Sequence, residues 1–210
     1  MCAIGFEPNP HHTKRLKAIQ GCYQALGFRM SFVFAAASST DGQATFNIDG
    51  VGWANEWSSS LVATDKISKN KGFFKHTVPT IDLAKFINNV VARRKIPAGV
   101  PPAVVMKLDI EGSEVTLLPH MMQTGVLCAE RSQSVQPFPL GVNISFIEFH
   151  PMSFPAKSKE AHALYMLQND LNEIVGLDTD NCKPTNITAL DDETFLHDGK
   201  PFPDGCSQFK

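Results

Sequence analysis

The sequence predicts an α/β fold: a Rossmann-like, mostly parallel sheet with helices on both faces. Three observations carry that prediction. Apolar runs of strand length alternate with amphipathic stretches of helix length. The apolar runs are continuous rather than alternating, as expected of strands covered on both faces. Charged and polar residues follow directly after those runs, where open parallel sheets bind their ligands.

Residues 2–6 form a small apolar strand that runs into Glu7-Pro8-Asn9-Pro10. The prolines stop ladder bonding and set up a helix start. Residues 11–26 then follow a helical period, with Leu16, Ile19, Tyr23 and Leu26 on one face and Gly27 as terminator. Residues 30–37 are apolar throughout and read as one buried strand. Asp41-Gly42 marks a turn, and residues 43–48 alternate like an edge strand. Residues 49–72, with Trp53 and Trp57, read as a long loop, a feature that is often functional. A helix is predicted over 80–94. A strand follows over 103–108, ending in Asp109-Ile110-Glu111-Gly112, and Ser113 caps the next helix, which runs to Thr124 and Gly125. Residues 143–149 form a strand closing on His150-Pro151, and 157–174 form a helix. Residues 182–210 make an acidic tail, with one or two terminal strands over 186–199.

A chain of 210 residues fits a single domain over 1–210 and can bury a core without disulfides. Net charge is -2, which gives no basis for nucleic-acid binding. The longest apolar runs are far shorter than a membrane span, and no signal peptide is evident at residues 1–10. By default this reads as cytoplasmic. The five cysteines, at 2, 22, 128, 182 and 206, match no zinc spacing and read as free, mostly buried thiols. An oxidising compartment would permit a Cys182–Cys206 bridge.

Glu7 stands at the end of a parallel strand, where a carboxylate can take two hydrogen bonds from a ribose diol. It reads equally well as a glutamate favoured by the dipole of the following helix. In the segment KLDIEGSE, Lys107, Asp109 and Glu111 point the same way in an extended chain. Three charges at the end of a buried strand are costly unless paired or used. Asp109 and Glu111 can orient a hydroxyl, take its proton or hold a divalent cation. The alternative is a structural Lys107–Asp109 pair beside a helix-start Glu114. Glu148 and His150 also share a face; His150 reads first as a histidine hydrogen-bonded in the turn before Pro151, and it also sits where a general base can stand. The spacing of these residues assigns no metal-ligand set. Asp191, Asp192, Glu193 and Asp198 read as a solvated turn. Ser38 and residues 58–60 lack the context of a nucleophilic serine.

The segments GFEPNPHHTKRL (5–16), AAASSTDGQATF (35–46), VPTIDLAKFI (78–87), VVMKLDIEGSEVTLLPHM (104–121) and ISFIEFHP (144–151) resemble FkbM-domain methyltransferases in order and content. The resemblance spans residues 3–151, with DDETFLHDG (191–199) similar to the ends of some eukaryotic members. It implies methyl transfer from S-adenosylmethionine, usually to an oxygen of a small-molecule, glycan or lipid acceptor. By position it implies cofactor contacts from Glu7, Asn9, Ala36, Ala37 and Asp41, and a catalytic face formed by Asp109, Glu111 and His150. One element departs from that family. Its members carry a strand and glycine-rich turn, of the type V-D-V-G-A-N-x-G, before the FEPNP strand, and here only Met1 and Cys2 precede it. That strand is central in the family's sheet, and its turn holds the methionine moiety through backbone amides. The expectation is therefore a fragment, or a non-catalytic interaction domain that lost the cofactor, with the two flanking strands either separated by a gap or paired directly. A dehydrogenase remains a third reading, since Glu7 serves a ribose in either enzyme.

Overall fold

The computed structural model describes residues 2–49, 59–62, 73–95, 98, 103–131, 141–150, 154–174, 182–189 and 206. The chain is a mixed α/β fold with parallel sheets. The strands are β1 (Cys2–Phe6), β2 (Arg29–Val33), β3 (Ala36–Ser38), β4 (Gly42–Asp49), β5 (Phe73–Asp82), β6 (Val105–Leu108), β7 (Cys128–Arg131), β8 (Ile144–Ile147), β9 (Cys182–Pro184) and β10 (Asn186–Ala189). The helices are α1 (Thr13–Ala25), α2 (Leu83–Phe86, continued by a π-helical stretch Ile87–Val91), α3 (Glu114–Gln123) and α4 (Lys159–Ile174).

β10, β8 and β6 form an all-parallel sheet in that order, and β1 pairs in parallel with β2. β5 lies between β3, its parallel partner, and β4, its antiparallel partner. β7 pairs with β9 antiparallel. Among the described residues no ladder joins β1 to β6, so direct pairing of these two strands does not occur.

The main core forms where α2, α3 and α4 meet the β10–β8–β6 sheet. Leu117, Leu118 and Met121 of α3 are essentially inaccessible, as are Leu164 of α4, Ile147 of β8 and the Val126-Leu127 turn. Leu117 and Met121 are four residues apart and so stack on one helix face. Each such side chain contributes roughly 1.5–3 kcal/mol by leaving water. A smaller cluster of Ala36, Phe46, Ile48 and Val78 covers one face of the β3–β5–β4 sheet.

Several predicted elements change their bounds. The strand expected over 30–37 is broken in two. A three-residue turn, with the Ala35 N–H donating to Val33 O at 3.0 Å, lets the chain leave β1 and join β5. The helix expected from residue 80 begins at Leu83, because Thr80–Asp82 are still paired with β3 and β5's backbone is committed to the sheet. Asp82 then caps α2, its Oδ1 accepting from Lys85 N at 3.0 Å. α1 is preceded by a short 3-10 turn at Pro10–His12 and ends at Gly27, whose φ of 87° suits glycine. β1 was expected to be buried, yet Cys2, Ala3 and Ile4 are exposed, since only β2 pairs with it. β4 is the edge strand expected. Trp53, Trp57 and the acidic residues 191–198 lie outside the described residues.

The cysteines differ from the free-thiol expectation. Cys22 on α1 is bonded to Cys206, with Cα atoms 6.0 Å apart, so Cys206 does not pair with Cys182. Cys128 is also disulfide-bonded, and exposed Cys2 is free. The Cys22–Cys206 bond spans 184 positions and fastens the end of the chain to α1. In the chain-entropy account, closing a loop of that length restricts the unfolded state by about 5 kcal/mol, with native strain subtracting from it. Cys22→Ser is therefore expected to lower unfolding stability by roughly 2–5 kcal/mol, with a smaller denaturant midpoint in urea titrations. An unchanged midpoint shows that the bond does not form.

Candidate functional site

The carboxyl ends of β1 and β6 and the start of β3 open onto one cavity of about 220 Å³. Glu7, Asn9 and His12 line it from the turn after β1, Ala36 and Ala37 from β3, and Asp109 and Glu111 from the turn after β6. The sequence places Glu7 and Asp109 at the ends of separate strands, and the fold brings both to the same opening.

The turn after β1 is built around two side chains. Glu7 N donates to Val33 O at 3.0 Å, which ties the strand's end to β2. Glu7 Oε1 accepts from Asn9 N at 2.7 Å, and Oε2 lies 3.3 Å from His12 Nδ1. An ionised carboxylate has about four acceptor positions, so capacity remains for ligand hydroxyls. Asn9 is buried, and its Oδ1 accepts from His11 N at 3.0 Å. Its side-chain oxygen therefore caps the helical turn while the residue lines the cavity. Ala36 and Ala37 are buried and form a small apolar wall, with Phe46 also facing the cavity. Asp41 is not among the lining residues. It is exposed, ion-paired to Lys85, and accepts from Asp82 N at 3.0 Å. The hydrogen bond from Lys85 holds its carboxyl below the usual range and raises the lysine in return.

The turn after β6 is more constrained. Glu111 has φ 53° and Gly112 φ 97°, two successive left-handed residues at the strand-to-helix junction. A glutamate in that region is uncommon, and such conformations persist where the surroundings fix them. Ser60 supplies one clamp, its Oγ donating to Glu111 O at 2.6 Å. Glu114 supplies the other, with Oε1 accepting from Ile110 N at 3.2 Å. Ser113 occupies the helix N-cap position as expected but makes no side-chain cap bond. The buried Glu114 instead ties the first helical residue back to the Ile110 N–H in the preceding turn.

Glu114 also reaches across to the end of β8. His150 Nδ1 lies 2.9 Å from Glu114 Oε1. Because an ionised carboxylate only accepts, Nδ1 is the donor there. The opposite ring nitrogen, Nε2, stands 3.6 Å from Asp109, 3.7 Å from Glu111 and 3.6 Å from Glu148. Asp109 is also paired to Lys107 Nζ at 3.2 Å, so the structural ion pair and the clustered site coexist. Burial alone would lower the imidazole's pKa. The hydrogen bond to Glu114 and the charges of Glu111, Glu114 and Asp109 outweigh it and push the group up to about 9. Asp109, Glu148 and His150 are spaced as potential metal ligands, with one ligand atom from each lying within 4.8 Å of the others.

Of the residues expected at the site, Glu7, Asn9, Ala36, Ala37, Asp109 and Glu111 line the cavity. His150 lies directly behind Asp109 and Glu111, and Asp41 is turned to the surface. The sequence assigns Glu114 only a structural role, excludes Ser60 as a nucleophile without giving it another task, and does not single out His12. The spacing of Glu114, four residues after Ile110 at a helix start, is the available signal for its clamp. Ser60 and His12 carry no comparable local pattern.

Glu114→Ala is expected to cost about 1–3 kcal/mol, because it strands the Ile110 N–H and the Nδ1–H of His150. Asp109→Asn, at a side chain one-third exposed, is expected to stay within about 0.5 kcal/mol of the parent. Thermal unfolding of the two variants checks this ordering, and the reverse order contradicts the clamp.

No protein-family model, curated protein or solved structure matches this chain.

Proposed function

We propose that the cavity is the nucleoside end of an S-adenosylmethionine-dependent O-methyltransferase site. The single observation that carries this reading is that Glu7 and Asp109 line one cavity. A ribose-binding carboxylate and an oxygen-activating carboxylate need to be about one nucleoside apart. The residues present suit part of that cofactor. Glu7 offers acceptor positions for the ribose hydroxyls, and Ala36, Ala37 and Phe46 offer apolar surface for the base. The volume, about 220 Å³, falls below the roughly 300–1,000 Å³ of full drug-sized pockets. The family's central strand and glycine turn would stand between β1 and β6, where no ladder forms among the described residues.

The bound cofactor supplies an electrophilic methyl group. The protein's own part is to hold the acceptor hydroxyl in line and to accept its proton. Asp109 and Glu111 are the groups that reach the cavity for that task. His150, behind them, orients and balances their charge. The acceptor class is a hydroxyl on a small molecule, a glycan or a lipid.

A second reading, a non-catalytic interaction domain, is favoured by one observation. Ile4 on β1 is 37% exposed and Val105 on β6 is 60% exposed. Apolar side chains on incompletely paired strands are a ready surface for strand addition. Among the described residues no helix is long and apolar enough to cross a membrane. The bonded cysteines favour an oxidising compartment over the cytoplasm.

Calorimetry with adenosine and S-adenosylhomocysteine tests the proposal. Both are expected to bind with similar, sub-millimolar affinity, and Glu7→Gln to weaken both by roughly tenfold or more, the loss of charge-assisted hydrogen bonds. If S-adenosylhomocysteine binds a hundredfold tighter than adenosine, a methionine cradle is present and the half-site account is wrong. If Glu7→Gln binds like the parent, the nucleoside reading fails.

A further inference from the structure

We infer that Asp109, Glu148 and His150 form a divalent-cation site at the carboxyl edge of the β10–β8–β6 sheet, with Glu114 as the carboxylate that orients the imidazole. The inference goes beyond the methyl-transfer reading and does not depend on it, because the ion is held by the chain alone.

The first argument is spacing. Nε2 of His150 stands 3.6 Å from an oxygen of Asp109 and 3.6 Å from one of Glu148. Those separations are too long for hydrogen bonds, which lie near 2.7–3.2 Å. They match two donor atoms sharing one ion instead. Ligands about 2.0–2.2 Å from a metal are separated by roughly 2.8–3.1 Å across octahedral angles and 3.3–3.6 Å across tetrahedral ones, and the spacing here meets the tetrahedral range. The three candidate atoms all lie within 4.8 Å of one another, so small side-chain adjustments close the shell.

The second argument is the outer contact. Histidines that bind metals nearly always donate their other N–H to a carboxylate or carbonyl, which fixes the tautomer and ring plane. Here Nδ1 meets Glu114 Oε1 at 2.9 Å, which turns Nε2 toward the carboxylates, where a bound ion takes the place of its proton.

The third argument is independent of the spacing and concerns burial. Glu114 is 0% exposed, and its second oxygen, Oε2, has no hydrogen-bond partner among the described residues. A buried carboxylate with an unbonded oxygen is costly in a dry interior unless positive charge lies nearby. The His150 imidazolium supplies that charge in the ion-free chain, and a cation on Nε2 takes over the role when the proton leaves. Lys107 Nζ, 3.2 Å from Asp109 Oδ2, lies on the other oxygen of Asp109 and leaves Oδ1 directed at His150.

The donor set, one imidazole nitrogen with carboxylate oxygens, favours Mn²⁺ or Zn²⁺ over Ca²⁺. Asp109 also lines the cavity. An ion held there presents its open coordination positions to whatever oxygen occupies that space, which identifies a hydroxyl or diol as the ligand class.

The test is calorimetric titration of the full chain, first stripped with chelator, with MnCl2 and separately with ZnCl2. The expected result is one ion per chain at micromolar affinity and a melting temperature raised by roughly 5 °C at saturating ion. Asp109→Asn combined with Glu148→Gln is expected to weaken binding at least a hundredfold while the ion-free chain still unfolds cooperatively. Equal binding by the double variant, or no binding by the parent, overturns the site. Should the double variant fail to fold, Mn²⁺ broadening of imidazole NMR signals in the parent decides. Selective broadening of His150 over His162 supports the site, and equal or absent broadening overturns it. Absence of ion binding by the parent with intact nucleoside binding removes this inference alone, and ion binding without nucleoside binding removes the nucleoside reading alone.

Discussion

The carboxylate of Glu114 is the point on which the site's geometry depends. It is wholly buried at the first residue of α3, and it holds two things at once: the Ile110 N–H in the turn after β6 and the His150 ring after β8. Adjacent parallel strands end at the same level, so a group between them can lock both ends. Burial makes the lock stiff, since a carboxylate with low exposure has few alternative partners. Its position also explains why Glu111 accepts a left-handed backbone. With Ile110 held on one side and the Glu111 carbonyl held by Ser60 on the other, the chain between them has little freedom.

The two halves of the cavity are supported unequally. The β6 and β8 side rests on the main core, with Leu108 and Ile147 buried just before Asp109 and Glu148. Among the described residues the β1 side rests on one parallel neighbour and on α1, where Ile19 is the one buried residue. Phe6 provides the bridge: its ring packs edge-on against Phe86 of α2 at 5.2 Å, and it joins the margin of the main core. The Cys22–Cys206 bond adds a covalent tie to the same weakly packed helix. Electrostatic order is therefore built in on the core side, while Glu7 sits on the more lightly held side.

Much of this was legible in the residues. Strand–helix alternation gave the α/β class, and glycine positions gave the ends of α1 and α3. Placing charged residues after strands found Glu7, Asp109, Glu111 and His150 together, because strand-end position is a local property and parallel strands share an end. What depends on tertiary pairing was not legible. The break at Phe34 arises because the chain changes sheets, and no local pattern marks that. Thr80–Asp82 look helical by period, but their backbone is claimed by β3. Asp41 follows the expected turn yet faces Lys85 instead of the cavity. The Cys22–Cys206 pairing joins residues far apart in sequence, which spacing does not encode.

The account stands on a single cavity shared by the ends of β1 and β6. Titrating ¹⁵N-labelled chain with adenosine and following amide resonances tests this directly. The account predicts that Glu7 and Asn9 shift together with Asp109 and Glu111, all along one saturation curve with a common dissociation constant. Shifts confined to one of the two turns, or separate curves for each, would contradict a shared pocket.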